Sequence, residues 1–354
     1  MFQKKTVIVV GAGASAEAKL PTGKGLTEKI AFHLGFGDRG AVSLLTESAG
    51  GDQAIRYALQ EAAHSTDSYE ESLQALGNAA ERIRQAMPQA ASIDSFIDAH
   101  RGNESIETVG KLAIAAAILS AEHESSLYLS SDGHRATMLS RTRDTWFAYL
   151  MRLIAEDCRA EEVGERLSSL CFVVFNYDRC VEHFLFHAIR NYYGLDVESV
   201  RKLVSRLEIY HPYGHVGRLP WSDRGPSIEF GCRPNHQQLS ECARELRTFT
   251  EGTDPDSSDI ETIRTRISEA GILLFLGFAF HRQNLQLLAL TEEQRRAHPV
   301  FCYATAKGIS ETDREVIMGE LLDILQLNRR RTHVRTELTC AKLFSEYWRT
   351  LSLS

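Results

Sequence analysis

The chain opens on a short unbroken run of β-branched and aliphatic residues, Thr6-Val-Ile-Val-Val10, which stops at a glycine-rich turn. A run so apolar, without alternation, is the pattern of a strand buried on both faces of a parallel sheet. The next apolar periodicity predicts a helix over 23–34. From about 40 to 168 the apolar residues recur at three- and four-residue spacing. That period predicts helices over 52–63, 69–87, 93–100, 105–127 and 142–157, with no strand among them. Strand-like runs return at 170–175, 207–211, 272–276 and 300–304, and helices are predicted over 178–193 and 311–326. The segment 218–258 is rich in Gly, Pro, Ser and Asp and is expected to carry a mobile loop around 250–258.

Strands alternating with helices predict an α/β fold: a Rossmann-like parallel sheet with helices on both faces, plus a large helical insertion. The expected core is 1–39 with 169–354, and the insertion is 40–168. Sheets of this kind bind ligands beyond the carboxyl ends of their strands. The residues just past each strand therefore carry the functional information.

After the first strand comes Gly11-Ala12-Gly13-Ala14-Ser15-Ala16, a G-x-G-x-x-A pattern between strand and helix. Gly11 suits a tight turn, and Gly13 would let backbone N–H groups approach a pyrophosphate. The competing explanation is close packing alone. The acidic strand end expected about 20 residues later in ordinary dehydrogenases is missing, which argues against standard hydride transfer. After the second strand stands Phe175-Asn176-Tyr177-Asp178. Asn176 could bond a ribose or a water, and Asp178 could shape the pocket or cap the following helix. After the third comes Tyr210-His211-Pro212-Tyr213-Gly214-His215, where His211 or His215 could serve as a general base toward a ribose hydroxyl. After the fourth comes Gly277-Phe278-Ala-Phe-His-Arg-Gln-Asn284, where Phe278 or Asn284 could touch adenosine.

Composition narrows the classes. The 354 residues are 43% hydrophobic and 25% charged, with a formal net charge of −7. No long basic run is present, so direct nucleic-acid binding is not expected. The longest uncharged apolar run, 112–121, is about half of the roughly 20 residues a membrane span needs, and a cytoplasmic protein is expected. The seven cysteines form no C-x-x-C pair, which argues against structural zinc or a disulfide framework, and no metal is expected.

Taken in order, these motifs resemble the prokaryotic sirtuin-like NAD-hydrolysing family of antiphage defence systems. Gly11-Ala-Gly-Ala-Ser15 followed by Pro21, Asn176-Tyr-Asp178 continuing to Val181-Glu182, His211-Pro-Tyr-Gly214, and Gly277-Phe278 leading to Asn284 carry the resemblance. The protein deacetylases of that superfamily differ: their paired C-x-x-C zinc site is missing, and Leu20-Pro-Thr-Gly-Lys-Gly25 stands where they carry a different segment. The resemblance implies that NAD is the substrate and that its nicotinamide–ribose bond is cleaved. It assigns catalysis to Asn176, His211 and Asp178, and binding to Gly11, Ala12, Gly13, Ser15, Pro21, Gly277, Phe278 and Asn284. It also implies an NAD-depleting effector that forms a homo-oligomer or is restrained by a sensor protein such as a HerA-like hexameric ATPase. Two rival expectations are an NAD- or ADP-ribose-binding regulatory module without hydrolysis, and a divergent NAD-dependent deacylase.

Overall fold

The first strand, β1 (Thr6–Val10), is buried at every position, as its continuous apolar run requires. Parallel strands flank it on both sides in matched register: Val10 lies opposite Val174 of β2 (Leu170–Val174) and Leu276 of β4 (Ile272–Leu276). With β3 (Glu208–Tyr210), β5 (Phe301–Thr305) and β6 (Thr332–Arg335) they form one parallel sheet ordered β3-β2-β1-β4-β5-β6. This is the doubly wound Rossmann-like order, in which the sequence of strands reverses between the parallel neighbours β1 and β4. A computed structural model describes residues 4–36, 50–130, 135–222, 227–248, 251, 259–294 and 298–352. Apart from Glu251, the loop expected around 250–258 lies outside the described residues, as does the expected boundary near 40.

Contacts divide the chain into two compact units. The sheet unit comprises residues 1–20, 125–212 and 253–354; the helical unit comprises 21–124 and 213–252.

In the sheet unit, Trp146 is fully buried and opens the helix Trp146–Ala155. Its ring stacks on Phe147 and Phe344, and its indole Nε1 donates to the Ala14 carbonyl at 3.0 Å. The Glu17 carboxylate accepts the backbone N–H groups of Trp146 (2.8 Å) and Ala341 (2.9 Å). One side chain thus ties the turn after β1 to the first turns of two helices, a favourable place for an anion. Burial, outweighing these bonds, raises the Glu17 carboxyl above its ordinary range.

The helix Cys180–Tyr193 carries His183 and His187, whose rings meet edge to face at 4.6 Å. His183 Nε2 donates to the Leu127 carbonyl at 3.0 Å. Burial pushes both imidazoles down, His187 to about 4 with Arg135 and Arg190 adding to the effect. The folded state therefore refuses a proton that the unfolded chain accepts below 6.5, the ordinary histidine value. The contribution of His187 is intact above that value and is lost as pH falls toward 4, by about 3 kcal/mol at most. Denaturant unfolding measured across this window should show a shallower pH slope for His187→Gln than for the wild type. Parallel curves would refute it.

The helical unit is built around Glu104–Glu124, a helix whose middle, 112–119, is continuously apolar and buried. Against it pack Gly23–His33, Gln53–His64, Tyr69–Ala86, Ile93–Ala99 and His236–Glu245. The Asp52 carboxylate caps the Gln53–His64 helix through Ala54 N–H (2.8 Å) and Ile55 N–H (3.2 Å), and its other oxygen meets His33 Nδ1. The later segment is bonded on by Gly231, whose N–H donates to the buried Glu122 at 2.9 Å. None of the described helices is long and apolar enough to cross a membrane.

Candidate functional site

Adjacent strands β3, β2, β1 and β4 lead, in that order, into turns that carry His211, Asn176, Gly11 and Gly277. All lie in the sheet unit, at the carboxyl edge where an open α/β sheet binds its ligands. Hydrogen bonds join the turns directly.

The closest join is between the β1 and β4 turns. Gly11 N–H donates to the Leu276 carbonyl and Gly13 N–H to the Gly277 carbonyl, each at 2.9 Å. A Cβ on Gly13 would lie 2.9 Å from Gly277 Cα, and one on Gly277 would lie 2.0 Å from Ala14 N. Gly277 also has φ +56°, a left-handed conformation. The glycines are therefore required by backbone meeting backbone, and the Gly13 N–H already has an acceptor within the chain. Ala12 and Gly13 remain half-exposed on the outer side of the turn.

Asn176 and Ser15 join β2 to β1. The Asn176 side-chain Nδ2 donates to Ser15 Oγ at 2.9 Å. The Ser15 hydroxyl in turn bonds the Asp178 carboxylate, whose Oδ1 also accepts the Cys180 N–H at 3.1 Å. Asp178 thus has the capping contact that its place in the sequence allowed. Its burial raises the carboxyl, while the Cys180 and Ser15 bonds oppose the shift. Asn176 and Asp178 are both buried.

His211 lies behind Asn176. Its Nε2 is 2.7 Å from Glu182 Oε1 and its Nδ1 is 3.3 Å from the Asn176 main-chain oxygen. Burial would lower the imidazole, but the Glu182 charge and hydrogen bond, the Asn176 carbonyl and the Asp178 charge together raise it. In the sequence Glu182 stands out only as part of the Val181-Glu182 continuation that contributes to the resemblance. Its signal there is an acidic residue in the first turn of the helix that follows Asn176.

The other expected residues are distributed differently. Phe278 is buried, packed edge to face on Phe175 at 5.1 Å and on Phe280 at 5.3 Å. Phe280 itself has φ +54°, a costly left-handed conformation for a bulky residue at this strand end. Asn284 lies half-buried in the short helix Arg282–Leu287. Pro21 and His215 belong to the helical unit, where His215 Nδ1 contacts the Gly217 carbonyl at 2.8 Å. That unit also has a cavity of about 500 Å3 bordered by Glu104, Glu107, Lys111, Ser240 and Arg244; no rim residue lines it. Among the described residues, no group of three His, Cys, Asp or Glu could hold a metal ion. No protein-family model matches the chain, and no curated protein matches it.

Proposed function

We propose that the chain binds NAD+ at this rim and hydrolyses its nicotinamide–ribose bond. What carries the reading is the alignment of four motif-bearing turns on neighbouring strands, joined by the 2.9 Å bond between Asn176 and Ser15. With Nδ2 held by Ser15, Asn176 offers its amide oxygen to a water or to a ribose hydroxyl. The bond cleaved is glycosidic, so its transition state is oxocarbenium-like and gains from a fixed ribose and a placed nucleophile. Ala12 and Gly13 would meet the dinucleotide through the half-exposed face of their turn, and the buried Gly11, together with Gly277, keeps that turn in place.

The resemblance in sequence extends the proposal to a cytoplasmic, NAD-depleting antiphage effector. It would act as a homo-oligomer or under a sensor protein such as a HerA-like ATPase, without direct contact to nucleic acid. The test is to incubate the purified chain with NAD+, alone and with candidate partners, and to follow free nicotinamide by chromatography. Nicotinamide release that saturates with NAD+ is expected. If NAD+ is unaltered in every condition, hydrolysis is refuted.

A second reading, an NAD- or ADP-ribose-binding module, is favoured by the engagement of both His211 ring nitrogens within the chain. Thermal stabilisation by ADP-ribose without nicotinamide release would select it.

A further inference from the structure

The bonds behind Asn176 form a unit of their own. Glu182 lies in the first turn of the Cys180–Tyr193 helix, and its Oε1 meets His211 Nε2 at 2.7 Å. The opposite ring nitrogen, Nδ1, meets the Asn176 carbonyl at 3.3 Å. An imidazole that donates from both nitrogens is an imidazolium, because the neutral ring has only one N–H. The two side chains are 7% and 19% exposed, so the pair is largely shielded from water. Removing one partner of such a pair leaves the other buried and uncompensated. Asp178, on the turn leading into the same helix, adds a second negative charge that favours the protonated ring.

We infer that Glu182 is a positioning residue: through the His211 imidazolium it holds the main chain of Asn176 and so sets the direction of the Asn176 side-chain amide. This inference rests on the proposed function only in taking Asn176 as the group that meets the ligand. It changes the part played by His211, since a ring that already carries both protons cannot take one from a ribose hydroxyl. In this arrangement His211 is a bracket between a helix and a strand end. The rim then has two supports for one asparagine, Ser15 on the side-chain amide and His211 on the main-chain carbonyl.

The test separates the bracket from catalysis. In full-length protein with 15N-labelled histidine, the His211 ring is identified by its loss in His211→Gln and titrated in the wild type and in Glu182→Gln. The wild-type ring should stay doubly protonated to a pH above the ordinary histidine range, and Glu182→Gln should lower that midpoint. The Tyr177 amide, which shares the peptide bond of the Asn176 carbonyl, should shift in Glu182→Gln and much less in Glu182→Asp. Where NAD+ is turned over, kcat should fall about 10- to 100-fold in Glu182→Gln with KM changed far less, and Glu182→Asp should recover part of it. Thermal melts establish that the variants compared are folded. A His211 titration and a Tyr177 amide that are both indifferent to Glu182 overturn the inference. A wild type that turns over no NAD+ overturns the proposed hydrolysis instead, and the bracket is still decided by the titration.

Discussion

Gly277→Ala is expected to cost at least about 3 kcal/mol of stability or to abolish soluble folded protein. Two costs add at this position. The left-handed conformation at φ +56° costs an L-residue roughly 1–3 kcal/mol. The methyl group would also lie 2.0 Å from Ala14 N and 2.2 Å from Gly13 C, both main-chain atoms that no rotamer change can move. Relief requires the β1 and β4 turns to part. That would break the 2.9 Å bond from Gly13 N–H to the Gly277 carbonyl and disturb the 2.8 Å bond from Gly277 N–H to Thr305 Oγ1. The control is Gly319→Ala, in the helix Glu311–Ile324 with open space around the added carbon, where a gain of about 0.5–1 kcal/mol is expected. Urea titration of both variants compares them directly; equal stabilities would remove the claim that the two turns interlock.

Asn176→Ala carries the largest expected effect on activity. Loss of a placed polar group at a reacting centre commonly costs about 10²- to 10⁴-fold in rate. The structural cost is expected to be small, about 1 kcal/mol, since the Ser15 hydroxyl keeps its bond to Asp178 when the Asn176 amide is gone. Nicotinamide release should therefore collapse while the melting curve hardly moves. Asn176→Asp is the sharper probe, since it keeps the shape and replaces the donor to Ser15 by a charge. Turnover within a few-fold of the wild type in both variants would remove Asn176 from the reaction.

The sheet was largely legible because four of its strands are continuous apolar runs, and apolarity without alternation has few other meanings in a chain this polar. Strand β6 was not expected. Thr332-His-Val-Arg335 follows three arginines and alternates, with Thr332 and Val334 buried and His333 and Arg335 half-buried, as an edge strand permits. The helix His236–Glu245 lies inside a stretch whose Gly, Pro and Ser content suggested loop. It is started by the reciprocal bonds of Asn235 and Gln238, a local signal that composition masks. At the rim, the turn residues could be read one strand at a time. The links could not, because Ser15 and Asn176 are separated by 161 residues and Gly13 by still more from Gly277. For the same reason the bond of Gly13 to the backbone of another strand was not legible beside its motif.

The Glu17 carboxylate has a consequence for synthesis. It is fixed on one side by residue 146 and on the other by residue 341, so the turn after the first strand gains its full set of bonds only once residue 341 has been made. β1 likewise waits for a neighbour that begins at Ile272. Pairings this distant along a chain form slowly and late. A polypeptide broken off before Ile272 would thus carry the turns at Gly11, Asn176 and His211 without the strand that locks the first of them in place.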